Sequence, residues 1–241
     1  MALLVLSACA KKQAVKPQPF SAEGSFAKAN ALFNKKNYTE AMRLFRILKV
    51  RDALGRIAPL AALRVGNCYE RMDEPDSAIE AYRKFLDTYP DNMYAPYAQY
   101  RIAMIYFSQV KGYDRGYGAA KKALEEFRKL RMLYPRNPYK DSIAMHISRC
   151  RYIIASYEFM VGKFYYRKKA YRGALGRFEG IIQDYPDFVR MPQVLYLASS
   201  SCRALGHVNK AALYAGQLEK SWPDSAYAAK AKKKKLALNG K

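Results

Sequence analysis

The chain reads as all-α: five helix pairs in a stack, with one long helix joining the third pair to the fourth. Three observations lead there. Val and Ile runs with strand-like alternation are hard to find, whereas apolar residues recur at spacings of three and four. Four aromatic-proline pairs punctuate the chain, at Tyr89-Pro90, Tyr134-Pro135, Tyr185-Pro186 and Trp222-Pro223. Small residues recur at fixed distances upstream of those prolines. With 51% apolar residues and 21 tyrosines, the chain has the surface to form a core, which argues against wholesale disorder.

Each proline closes a helical segment, because it disfavours helix at the residue before it and lacks the donor that would continue the ladder. Twelve residues upstream stands an alanine every time: Ala78, Ala123, Ala174 and Ala211. Eight upstream come Tyr82, Phe127, Phe178 and Ala215, and five upstream come Phe85, Leu130, Ile181 and Leu218. Twenty-four upstream lies a small residue in three repeats, Gly66, Gly162 and Ser199. In the remaining repeat Ala103 takes that role, displaced by the insertion "VKGYDRGYG". The first repeat lacks the closing proline but keeps Ala29, Ala41, Phe45 and Leu48. Small residues at the two crossing positions let antiparallel helices approach, and the large ones fill the groove beside them. The pattern resembles the tetratricopeptide (TPR) repeat, five copies in phase. That resemblance implies a right-handed superhelical solenoid, since a lone helix pair cannot bury its apolar face.

From Tyr139 to Arg167 there is no proline and one glycine. Ile143, Ile147, Cys150, Ile154, Tyr157, Val161 and Phe164 follow one another at spacings of three and four, a single apolar stripe. This predicts one helix, about 40 Å long at 1.5 Å per residue. The expected organisation is a signal remnant at 1–8, a linker at 9–21, repeats 1–3 at 22–138, the long helix with repeats 4–5 at 139–225, and a lysine-rich tail at 226–241.

The opening "MALLVLSACAKK" is apolar over too few residues to span a bilayer, which takes about 20. Leu6-Ser7-Ala8-Cys9 resembles a bacterial lipobox. The mature protein is therefore expected to start at Cys9, carrying a diacylglyceryl thioether and an N-acyl group, with the basic part of the signal lying upstream. The three other cysteines, Cys68, Cys150 and Cys202, have no close spacing and fall on apolar-periodic helices, which reads as small buried hydrophobes.

The formal charge of +23 calls for an anionic partner: nucleic acid, an anionic membrane surface or an acidic protein face. No nucleic-acid-binding motif accompanies it, so no specific nucleic acid is expected. The two histidines, His146 and His207, lack metal-ligand company, and His146 with Cys150 four residues on lacks an orienting group and an oxyanion site. "GYDRGYGAAKK" does not have the order of a phosphate loop. The expectation is a protein that is not an enzyme and has no cofactor beyond the lipid on Cys9.

The segment "YRKKAYRGALGRFEGIIQDYPD", Tyr166 to Asp187, resembles the signature of the BamD family, lipoprotein subunits of the machine that assembles outer-membrane β-barrels. "YAPYAQYRIAMIYF" resembles that family's third repeat. The resemblance implies a scaffold lipid-anchored on the periplasmic face of the outer membrane of a Gram-negative bacterium, with accessory assembly lipoproteins as further partners. It implies docking of the C-terminal half on the periplasmic domain of BamA through Arg177, with Glu179 nearby. It also implies an N-terminal half that receives unfolded outer-membrane proteins.

The residues add a hint of their own. The first helix of a TPR pair lines the concave groove, and Asn30 and Asn67 each follow the small residue there. Arg64 and Arg101 precede it by two, and Tyr97, Tyr100 and Phe107 lie on the same stretch. Such a set suits an extended peptide ending in an aromatic residue and a carboxylate, although inter-repeat packing accounts for the same aromatics. The charge and the lysine-rich tail exceed what the family signature asks. Another envelope TPR lipoprotein, organising peptidoglycan or cell-division proteins, would share the lipobox and the repeats without needing Arg177.

Overall fold

A computed structural model describes residues 20–52 and 55–239, with side chains described as far as residue 233. The described residues form eleven α-helices and no strand. In chain order, two to a repeat, they are α1 (Ala22–Asn34) and α2 (Tyr38–Arg51), α3 (Ile57–Arg71) and α4 (Pro75–Thr88), α5 (Ala95–Ser108) and α6 (Tyr117–Leu133), α7 (Lys140–Arg167) and α8 (Tyr171–Asp184), and α9 (Met191–Ala204) and α10 (Val208–Ser221). An eleventh helix, α11 (Ala226–Asn239), follows.

The crossing positions sit where the spacing put them. Ala29, Ala41, Ala78, Ala103, Ala123 and Ala174 are fully buried, as are Phe45, Tyr82, Phe127, Phe178 and Ile181. Only Ala215 remains half-buried. In the fourth pair the approach is too close for a side chain: a Cβ on Gly162 would stand 2.7 Å from Cε1 of Phe178. In the fifth, the Ser199 hydroxyl donates to the Ala211 carbonyl at 2.8 Å, joining the two small positions across the pair. Four of the turns inside repeats share one device. Lys36, Asp73, Lys169 and Gly206 take left-handed backbone with φ of 62°, 59°, 60° and 76°. The next residue then donates back into the helix, as Asn37 does to Leu32 and Ala170 to Tyr165, in the Schellman pattern.

The described chain forms two compact units, one ending at Glu74 and the other starting at Pro75. In the first, α1, α2 and α3 enclose Ala29, Ala41, Phe45, Leu48, Ala61 and Cys68. In the second, each helix from α4 to α10 packs on the next, and α11 packs on α9 and α10. No structural break falls at 138/139, where the sequence drew its two halves. The reason is α7, whose first half shares a core with α5 and α6 through Ile143, Ile147, Cys150 and Ile154. Its second half shares another with α8 and α9 through Ala155 and Phe159.

Two expectations need correction. The apolar stripe of α7 is not continuous: after Ile154 the buried side turns to Ala155, Phe159 and Gly162, while Phe164 is 49% exposed. The stripe predicted from spacing stays on one face, but α8 and α9 approach from another. The lysine-rich segment is likewise not merely a tail. Ser225 caps α11 by accepting from the Ala228 amide at 3.1 Å, and Ala228 and Ala231 are buried against the last pair.

Candidate functional site

Arg177 lies on α8 and faces α7. Its Nη1 donates to Glu158 Oε2 at 2.8 Å, and Glu158 Oε1 accepts from the Tyr117 hydroxyl of α6, also at 2.8 Å. Tyr117 stacks on Tyr157 with ring centroids 4.4 Å apart. Three helices therefore hold one carboxylate between a guanidinium and a phenol. The hydrogen bond to Glu158 raises the pKa of Arg177 further, so the guanidinium stays charged across the accessible pH range. The Arg177 side chain remains 44% exposed while that of Glu158 is 15% exposed. The arginine fork thus keeps donors facing solvent.

Beside this network runs a groove of about 400 Å³, walled by Tyr117, Lys121, Glu158, Arg172 and Arg177 and floored by Gly173, Gly176 and Gly180 of α8. A Cβ at Gly176 or Gly180 would meet nothing, so these glycines leave the floor bare rather than serving internal packing. Glu179 does not join Arg177. It faces α10, accepting from Lys210 Nζ at 3.1 Å and from the Tyr214 hydroxyl at 2.8 Å. Burial, and then that carboxylate, push the Tyr214 phenol well above its ordinary value.

The expected peptide-groove residues fall into two sets, one in each unit. In the first unit Asn30 on α1 and Arg64 and Asn67 on α3 occupy neighbouring first helices. The Arg64 guanidinium covers the Phe33 ring at 5.3 Å, and Asn30 Oδ1 is buried without a hydrogen-bond partner among the described residues. In the second unit Tyr97, Tyr100, Arg101 and Phe107 stand on α5. Tyr100 stacks on Tyr139 at 4.4 Å and shares a hydrogen bond with Ser142 at 3.1 Å. Phe107 meets His146 edge-on at 4.5 Å. Both aromatics are thus packed against the start of α7. Tyr97 and Arg101 are half-buried and feel the Tyr139 phenol electrostatically.

His146 stacks on Phe127 at 5.1 Å, and burial lowers its pKa. Burial pushes the Cys150 thiol up to about 11 and, against Arg64, the Cys68 thiol up to about 12. A thiol so placed is no nucleophile near neutral pH. The cysteines at 68, 150 and 202 are free and buried. Among the described residues no cluster of three His, Cys, Asp or Glu side chains is placed to hold a metal ion, and no helix is long and apolar enough to cross a membrane. Cys9 lies outside the described residues.

The sequence reading missed Glu158 and Tyr117 as the partners of Arg177. A signal was available for the first: Glu158 is the one acid between Asp141 and Arg167 on α7.

Helix pairs closing on small residues, with Schellman turns inside them, define a TPR-type repeat protein. The sequence profile of the YfiO family, described as outer membrane lipoprotein, matches residues 20–218. The chain belongs to that family, which is the family of the BamD proteins. The Outer membrane protein assembly factor BamD of Neisseria meningitidis serogroup A / serotype 4A is 27% identical, over 93% of this chain and 90% of its own length. That of Rickettsia prowazekii is 24% identical, over 80% of this chain and 77% of its own. Among solved structures, the TPR2AB domain of yeast Sti1 in its pHSP90 complex aligns with a TM-score of 0.47 at 14% identity, over 86% of this chain and 80% of that one.

Proposed function

We propose that the chain is a non-catalytic scaffold of outer-membrane β-barrel assembly, docking on the periplasmic domain of BamA through the groove beside Arg177 and receiving unfolded outer-membrane proteins on its first helices. The observation that carries this is the family match over residues 20–218, with relatives named as outer membrane protein assembly factors. The geometry supports the docking part. Arg177 is held in place by Glu158 yet keeps part of its fork in solvent, so a carboxylate of the partner can be received without ordering a free side chain. The bare glycine floor lets a partner's backbone or helix come close. Glu179 is a supporting residue in this reading, holding α8 to α10 through Lys210 and Tyr214.

For the client side, Asn30 and Asn67 offer amides to an extended backbone, Arg64 and Arg101 offer charge, and Tyr97 offers a half-exposed ring. Tyr100 and Phe107 are taken up by Tyr139 and His146 at the start of α7, which leaves Tyr97 as the aromatic of this set that a client would meet first. A lipid on Cys9 would hold the scaffold at the periplasmic face of the outer membrane, alongside the other assembly lipoproteins.

The test is co-purification after mild detergent solubilisation. BamA is expected to follow the tagged wild-type chain and to be lost with Arg177→Glu, which sets two carboxylates against each other at Glu158. Retention of BamA by the R177E variant, or its absence from the wild-type eluate, overturns the docking assignment. A Cys9→Ser variant that still incorporates labelled fatty acid overturns the anchor.

A further inference from the structure

On the side of α7 turned away from Glu158 lies a second cleft, of about 160 Å³, to which neither the sequence nor the family match assigns a role. Residues 152, 156, 159, 160 and 163 line it, whereas 154 and 158 line the Arg177 groove. At about 100° per residue these are opposite faces of the helix. Three cations converge on the cleft, Lys163 and Arg167 from α7 and Arg190 from the residue before α9. Lys163 Nζ stands 5.5 Å from the centroid of the Phe159 ring, and the Arg190 guanidinium stands 5.7 Å from the same ring.

No carboxylate among the described residues lines this cleft. The nearest acidic loop residue by sequence, Asp187, is engaged by Arg151, and Asp114 is beside Arg115. Cation–π attraction to one ring offsets part of the mutual repulsion, but like charges gathered without a counter-charge remain unfavourable until an anion arrives. The walls are not those of a bare phosphate site. Tyr152 and Met160 each leave 38% of their surface exposed, and Tyr113 leaves 51%. That apolar rim goes unused by an inorganic ion, while a carboxylate set next to an aromatic or thioether-compatible side chain uses both halves. Two guanidinium groups also suit the planar, two-oxygen geometry of a carboxylate.

We infer that this cleft is a binding site for an acidic peptide segment, in which Lys163, Arg167 and Arg190 take a carboxylate and Tyr113, Tyr152 and Met160 take the apolar side chain beside it. The site is independent of the Arg177 groove, so it stands or falls apart from the docking assignment. The carboxylate has two sources, an acidic side chain or a free chain terminus, and the probes separate them.

The experiment follows the Met160 methyl signal in the full chain carrying ¹³C-methyl methionine, assigned with Met160→Leu. The probes are the peptides acetyl-Gly-Asp-Phe-amide, acetyl-Gly-Asn-Phe-amide and acetyl-Gly-Phe with a free carboxylate, together with inorganic phosphate. A saturable shift is expected with the Asp peptide, with the free-terminus peptide, or with both, which tells the sources apart. The Asn peptide and phosphate are expected to bind at least tenfold more weakly. The shift is expected to disappear in Lys163→Gln/Arg190→Gln and to persist in Arg177→Gln. Arg167→Gln, a milder change, is expected to weaken binding several-fold. The inference is overturned if neither carboxylate peptide moves Met160, if the Asn peptide or phosphate binds as tightly as the better of them, or if the double variant still responds.

Discussion

The two faces of α7 carry the same kind of residues and treat them in opposite ways. Toward α6 and α8, Arg177 and the Tyr117 hydroxyl share the carboxylate of Glu158, and further along the helix Arg151 pairs with Asp187. On the other side Lys163 and Arg190 flank the Phe159 ring and Arg167 lines the same cleft, with no acid in its lining. On the first face Arg177 and Arg151 each have a carboxylate within the chain, so these pairs serve the fold while Arg177 keeps donors for a partner. The second is incomplete, so its charges weigh on the fold until something outside the chain neutralises them. In a protein of +23 the surplus is therefore not spread evenly. Carboxylates meet it at Arg177 and Arg151 and are missing from the lining of the Lys163 cleft.

The first test, with the largest expected effect, falls at the tight crossing of α7 and α8. Gly162→Leu would drive a side chain into Phe178, whose ring is fully buried and cannot swing aside. The expected loss is about 3 kcal/mol of unfolding free energy, read from the urea midpoint, less what the better helix propensity returns. A midpoint unchanged from wild type would mean that α7 and α8 are not held at this distance. The second is Glu158→Gln, which keeps the shape but removes the charge from a mostly buried carboxyl. It is expected to cost about 1 kcal/mol, because the bonds to Arg177 and Tyr117 lose their ionic character. A stability gain instead would put Glu158 among the groups that strain the fold.

The fold was legible in the sequence because its grammar is steric. A small residue is needed where the paired helices cross, and in four of the five repeats a proline stands just past the second helix, so Ala29, Ala103, Gly162 and the Tyr-Pro pairs announce the repeats without any tertiary information. What could not be read was direction. The period placed Tyr157, Val161 and Phe164 on the stripe with Ile143, but it could not say that the core passes to α8 and α9 beyond Ile154. The same limit explains the site. Arg177 and Glu179 are two residues apart in sequence and face different helices. Tyr100 and Phe107 look like groove aromatics until Tyr139 and His146 are seen against them. The cleft at Lys163 needed Arg190 from another helix start, which no local spacing brings to it.

The smallest expected effect decides most about the comparison, because its sign is opposite. Lys163→Gln removes a half-buried cation that packs on Phe159 together with Arg190 and has no carboxylate beside it in the cleft. If the cluster is strained, removing one of its charges raises stability by about 0.5 kcal/mol, within the range of exposed charge interactions. The variant also gives up the attraction between the ammonium and the Phe159 ring, so the gain measures repulsion in excess of that attraction. Salt separates the two. Screening weakens the repulsion between cations far more than the attraction of a cation to a ring it touches, so the advantage of the variant is expected to shrink from low ionic strength to about 0.5 M sodium chloride. Glu158→Gln, by contrast, stays destabilising throughout. A Lys163→Gln variant less stable than wild type at low salt would show that attraction to the ring dominates, and the two faces of α7 would then be alike in holding their charges at rest.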